Sequence, residues 1–239
     1  MDPSNAQDNR PKPILIGICG GSGVGKNVIS TKIKEKVEKK NLTCYVVDEK
    51  FFFKELPQDL RTQIEGKTQD EVNQIVLKTY DFDVPGAVNW ELFEKVVTDI
   101  TNGKDTKIHQ YDSSKFQAGE EISVKRHDVY LITGRLILGN KRIRDQFDVS
   151  VFLETDIDLM LSRRVYKHNK HRDIGLVLDH YMNKVRPNYE SYILPLKTYA
   201  DFIVLNFGGF NYNLDSFSDN NEIYDLLENH IESELKPVY

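Results

Sequence analysis

Residues 14–27 read ILIGICGGSGVGKN, and the reading of this stretch decides the fold. Ile14–Cys19 is an apolar run of strand character, followed by Gly20, Gly21, Ser22, Gly23, Val24 and Gly25 and then by Lys26 and Asn27. Beyond it, Ile29, Ile33 and Val37 recur at i, i+4, i+8, the spacing of a helix with one buried face. A glycine-rich turn between a strand and a helix has a specific chemistry. Glycines let the backbone approach phosphate oxygens without a Cβ clash. The helix N-terminus adds partial positive charge, and a lysine at the position of Lys26 reaches the terminal phosphates. Residues 20–27 therefore predict a site for a nucleoside triphosphate. Asn27 stands where a Ser or Thr hydroxyl would hold Mg²⁺. Its amide oxygen is also a hard neutral ligand, but on a longer arm.

Working outward, apolar runs recur at Thr43–Val47, Val129–Thr133, Val149–Leu153 and Phe202–Leu205, with helical patterns between them. Runs that are apolar almost throughout, rather than alternating, predict parallel strands covered on both faces. With right-handed crossovers they predict a three-layer α/β fold around a five-stranded parallel sheet. Ile174, Val177, Leu178, Tyr181, Met182 and Val185 predict an amphipathic helix, and Pro187 a break after it. Thr155 and Asp158 have the spacing of a capping box for the helix carrying Arg163 and Arg164. Ile223, Leu226, Leu227 and Ile231 predict a last amphipathic helix. Residues 51–117, rich in aromatics and turn residues, read as a substrate-side insert rather than core, and residues 155–190 as a lid and the helix after it. The polar residues 1–12 read as a disordered tail before a single domain over 13–239.

With 32 basic and 37 acidic residues the chain carries a formal charge of −5, unlike a dedicated nucleic-acid binder. Its apolar stretches fall far short of the ~20 residues that span a bilayer. No apolar signal-peptide core follows the first methionine. These features predict a soluble protein of the cytoplasm, with the nucleus left open, and no membrane partner. Cys19 and Cys44 lie in runs expected to be neighbouring buried strands and read as reduced core thiols.

The stretch IRDQFDVSVFLETDIDLMLSRRVYKHNKHRDIGLVLDHYMNKVRPNYESYILPLKTYADFIV (143–204) resembles the C-terminal half of uridine/cytidine kinases. So does YDFDVPGAV (80–88), which is similar to that family's F-D-H-P-x-A segment, and together with the glycine loop the resemblance covers roughly residues 14–205. It implies transfer of phosphate from ATP, with Mg²⁺, to the 5′-hydroxyl of a pyrimidine ribonucleoside. It also implies that Phe82 and Asp83 bind the nucleoside and that Tyr111 lines its pocket. Arg164 and Arg172 become lid arginines over the transferred phosphoryl group, and Asp48 the general base, with Glu49 in reserve. Asn27 and Asp48 become the metal ligands, and family members often form homo-oligomers.

The chain departs from the pattern in several places. A residue more separates Asp48 from its aromatics, Thr133 stands where a metal-holding Glu is expected, and Phe116 where a pyrimidine-reading His is expected. The lid is two residues short, with Lys167 and Lys170 where arginines are typical. These replacements keep a second reading open, a nucleotide-binding regulatory protein that retains the fold without turnover. A GTPase-type switch ranks last, because NKRI at Asn140 lacks the Asp of a guanine-reading motif.

Overall fold

The computed structural model describes residues 11–168, 172–207, 229–231 and 233. The chain enters on β1 (Ile14–Gly20), turns through the glycine loop into α1 (Lys26–Lys39) and returns on β2 (Cys44–Asp48). There follow α2 (Gln58–Ile64), α3 (Gln69–Thr79), α4 (Trp90–Thr101) and the hairpin strands β3 (Thr106–Asp112) and β4 (Gln117–Val124). Then come β5 (Val129–Gly134), α5 (Lys141–Arg144), β6 (Val149–Glu154), α6 (Ile157–His168), α7 (Ile174–His180) and β7 (Phe202–Leu205).

The main sheet has the order β2-β5-β1-β6-β7, all pairs parallel, and β3–β4 form a separate antiparallel ribbon. The five runs expected as strands are strands, each within a residue or so of its expected ends. Every residue of β1 and β5 is buried, as strands sandwiched between helix layers require. β7 differs: it is one of the two edge strands, and Phe202, Ile203 and Leu205 stay exposed despite their apolar character. Cys19 and Cys44 are buried and free, but β5 lies between their strands, so they are not neighbours. Burial pushes both thiols up to about 12, which leaves them inert.

The core draws on more of the chain than expected. Phe93, Val96, Val97 and Ile100 of α4 sit in the main hydrophobic cluster, so part of the stretch read as an insert is core. Each such side chain contributes roughly 1.5–3 kcal/mol on burial. The remainder of that stretch makes a second cluster of Leu56, Leu60, Val76 and Phe116. Ile231 is buried against the main core in a helical turn at 229–231, whereas Ile223, Leu226 and Leu227 lie outside the described residues. Among the described residues no helix is long and apolar enough to cross a membrane.

Two local expectations are corrected. The capping box at Thr155 and Asp158 does not form. α6 begins at Ile157, so Thr155 lies a residue too early. Its buried hydroxyl has no hydrogen-bond partner among the described residues, and Asp158 Oδ1 accepts the Leu159 N–H instead. Pro187 does not break the helix either. Helical backbone continues from α7 through wide π turns at Tyr181–Val185 and Tyr189–Ile193, on either side of Arg186–Asn188. A proline ring clashes with the carbonyl four residues earlier, and a widened turn relieves that clash. The packed face of this helix is Val177, His180, Tyr181 and Val185, while Ile174, Leu178 and Met182 are exposed.

Candidate active site

The glycine loop lies where β1 ends and α1 begins. Gly25 caps α1 in the left-handed region with no side-chain hydrogen bond, which leaves the first amides of the helix open to an anion. Gly23 has φ 93°, and a Cβ there would stand 2.8 Å from the Met160 carbonyl oxygen of α6. Glycine at 23 is thus what lets the loop and α6 touch. Two residues hold the loop from that side. Arg163 Nη1 donates to Gly23 O at 3.2 Å and Nη2 to Asn206 O at 3.3 Å, and Asn206 Nδ2 donates to Val24 O at 2.6 Å. Asn206 carries no periodicity or motif that sequence reasoning could have used. Lys26 Nζ donates to Gly20 O at 2.7 Å and Gly21 O at 2.9 Å. Burial, and then the charge of Arg135, push its pKa down to about 8.

Beside the loop a cleft of about 350 Å³ opens between β-strand ends and lid. Ser22, Gly23, Gly25, Lys26, Asn27, Asp48, Tyr111 and Arg164 all line it, so most of the predicted site residues share one space. Gly20, Gly21 and Val24 belong to the loop beneath, while Phe82, Asp83 and Arg172 are not part of the lining. Asp48 ends β2 opposite Thr133 of β5. Its Oδ1 accepts the Lys50 N–H at 3.0 Å, and Oδ2 lies 3.3 Å from Lys50 Nζ. Glu49 has a different setting. It is buried, Oε2 accepts the Leu136 N–H at 2.7 Å, and Oε1 is 3.8 Å from Arg135 Nε. Burial dominates over these partners and raises its pKa. Of the two candidate bases, Asp48 is the better presented.

On the lid side, Arg164 Nη1 donates to Ser22 Oγ at 3.1 Å and Nη2 to His180 Nδ1 at 2.8 Å. A guanidinium only donates, so His180 Nδ1 is the acceptor and the ring is neutral. Burial, followed by Arg164 and other cations, pushes His180 down to about 3, which agrees with that assignment. Arg164 itself is pulled down to about 10, chiefly by burial. His180 was read only as part of a helix; no sequence signal marks it as a partner of Arg164. Lys167 lines the cleft, and Lys170 lies outside the described residues.

The Phe53 side of the cleft is aromatic. Phe53 meets Tyr111 edge-on at 5.3 Å, and Phe82 stacks on Phe116 at 5.6 Å. The Tyr111 hydroxyl is buried with no hydrogen-bond partner among the described residues, and burial raises its pKa. Asp83 is buried and ion-paired with Arg135 Nη1, while Arg135 Nη2 donates to Phe82 O at 3.1 Å. Phe116, with φ 53°, is buried in the second cluster and cannot read a polar base edge.

For a divalent ion the described residues contain no group of three His, Cys, Asp or Glu that could hold a metal. Asn27 and Asp48 nevertheless line the same cleft. Mg²⁺ is commonly held by one or two carboxylates, phosphate oxygens and water, so these two residues fit it once a triphosphate supplies the remaining oxygens.

The sequence profile of the phosphoribulokinase/uridine kinase family matches residues 15–209. Uridine-cytidine kinase B of Dictyostelium discoideum is 30% identical over 235 residues, covering 97% of this chain and 86% of that protein. The uridine kinase of Macrococcus caseolyticus is 32% identical over 197 residues, 81% of this chain and 88% of that protein. Among solved structures, phosphoribulokinase from Rhodobacter spheroides shares the fold with a TM-score of 0.62 over 93% of this chain and 99% of that chain, at 9% identity.

Proposed function

The chain belongs to the phosphoribulokinase/uridine kinase family of phosphotransferases, and from that premise we propose that it phosphorylates the 5′-hydroxyl of a pyrimidine ribonucleoside with ATP. The observation that carries the reading is the convergence of Lys26, Asp48, Tyr111 and Arg164 on one cleft beside the glycine loop. The triphosphate lies along the loop amides and the start of α1, with Lys26 as its point charge. Asp48 takes the proton of the 5′-hydroxyl as that oxygen bonds to the γ-phosphorus and the bond to the ADP oxygen breaks. Arg164, held between Ser22 and His180, offers its guanidinium to the charge that spreads over the transferred group. Mg²⁺, with Asn27 and Asp48 as candidate ligands, supplies further charge neutralisation when bound. Tyr111 and Phe53 wall the nucleoside side, and the Phe82 ring packs against both.

One observation favours the second reading, nucleotide binding without turnover. Asp83, the expected ribose partner, is committed to Arg135 instead of facing the cleft. The test is product analysis with Mg-ATP and a panel of pyrimidine and purine nucleosides, with Lys26→Ala as control. Nucleoside monophosphate formed by the parent and lost in the variant supports the kinase. ATP binding without product from any nucleoside supports the second reading. The proposal also places the protein in the cytoplasm and leaves self-association to sedimentation.

A further inference from the structure

We propose that Arg135 is a built-in cation of the nucleotide site, which lets this protein bind nucleoside polyphosphate without a divalent ion. The inference rests on the reading of the cleft as a nucleotide site and goes beyond it. β5 runs Val129–Gly134 between β2 and β1, its Thr133 beside Asp48 and its Gly134 beside Cys19, so the next residue lies at the floor of the cleft. That residue is Arg135, and it lines the cleft together with Lys26 and Arg164.

Its guanidinium is held by neighbours on several sides. Nη1 pairs with Asp83, Nη2 donates to Phe82 O, Nε lies 3.8 Å from Glu49, and the group sits 5.3 Å over the Phe53 ring. A side chain fixed in this way has little rotamer freedom left to lose when an anion arrives. Each Nη carries two N–H groups, so once Asp83 and Phe82 O are served the second N–H on each is what Arg135 can offer a phosphate oxygen.

The surrounding charges point the same way. Lys26, Arg135 and Arg164 line one cleft, where their like charges repel one another. A bound polyanion relieves that repulsion, whereas a divalent cation at the same place adds to it. Of the carboxylates nearby, Glu49 is engaged by the Leu136 N–H and Arg135, and Asp83 by Arg135, which leaves Asp48 alone to face a metal in the cleft. Near the end of β5, where a metal-binding carboxylate was expected, stands Thr133, whose side chain is buried; Gly134 ends the strand and the cation Arg135 follows.

The experiment is titration calorimetry of the full chain with ATP, in Mg²⁺ and in EDTA. Removing Arg135 alone would strand two buried carboxylates, so the comparison is between Glu49→Gln/Asp83→Asn and the same background with Arg135→Met, both checked by thermal unfolding. The parent is expected to bind ATP in EDTA within about tenfold of its affinity in Mg²⁺. Arg135→Met is expected to weaken binding in EDTA by about tenfold or more, the scale of one charged hydrogen bond, and by much less in Mg²⁺. Arg135→Lys should recover part of the loss. Binding by the parent only in Mg²⁺, or an equal loss under both conditions, overturns this inference and leaves the nucleotide reading standing. No binding under either condition overturns both.

Discussion

Gly23→Ala is the perturbation that most sharply probes the contact between glycine loop and lid. Two costs apply. The backbone at residue 23 has φ 93°, and an L side chain in that region costs about 1–2 kcal/mol. The new Cβ would also stand 2.8 Å from the Met160 carbonyl oxygen, a backbone atom of α6 that no rotamer change can move. Forcing extra volume into such a contact costs about 1–3 kcal/mol. Gly66→Ala isolates the first cost, because φ there is 70° and nothing lies within 4 Å of the added Cβ. The two variants gain the same small benefit from a stiffer unfolded chain. Gly23→Ala should therefore be less stable than Gly66→Ala by about 1–3 kcal/mol, or about 2–12 °C in Tm for a chain of this size. Thermal unfolding of both proteins measures it. Because Met160 and the loop-holding Arg163 share α6, Gly23→Ala should also weaken ATP binding, and Gly66→Ala should not. Equal stability and equal ATP affinity of the two variants would refute the loop–lid contact.

His180→Leu removes the acceptor of Arg164 and should lower kcat/KM by about 10- to 100-fold, with His180→Gln recovering part of it through its amide oxygen. Steady-state kinetics check this. The neutral His180, titrating at about 3, should add no pH dependence between pH 5 and 8. Lys26 titrates at about 8 in the free protein, against 10.5 for an ordinary lysine. Its folded pKa is depressed, so between pH 8 and 10.5 the unfolded chain binds more protons. Stability of the unliganded protein should therefore rise with pH across that window, relative to Lys26→Met. ATP affinity should fall as pH climbs through 8 and the ammonium loses its proton. Urea unfolding and calorimetry at stepped pH measure the two trends, and flat profiles in both would contradict the assigned burial of Lys26.

The parts of this molecule that were legible in the sequence are those governed by local pattern. Apolar runs marked the five strands of the main sheet; burial on both faces explains this for β1, β5 and β6, whereas edge strand β7 is apolar yet exposed. The glycine spacing and Lys26 marked the loop, because backbone approach to phosphate restricts those positions locally. What stayed hidden depends on contacts between distant segments. Asn206 reaches Val24 across 182 residues, and Glu49 reaches Leu136 across 87. No periodicity announces a polar side chain at the end of a strand that turns inward to hold another loop. Thr155 and Asp158 had the spacing of a cap, yet the helix began one residue too late to use it. Pro187 follows a general rule of helix breaking that the flanking π turns circumvent. Phe116 was visible as a departure from a family pattern, but only the fold shows that it packs into a separate cluster.

The central claim is that Asp48 activates the 5′-hydroxyl of a pyrimidine nucleoside toward ATP held on the glycine loop. Its most direct test is a kinetic comparison of the parent protein with Asp48→Asn, using Mg-ATP and uridine or cytidine, with the phosphorylated product identified by its position of attachment. The account predicts nucleoside 5′-monophosphate and ADP in equal amounts from the parent. It predicts a kcat lower by about 10²- to 10⁴-fold in Asp48→Asn, with ATP still bound. A folded, ATP-binding parent that phosphorylates no nucleoside, or an Asp48→Asn variant with undiminished kcat, would contradict it.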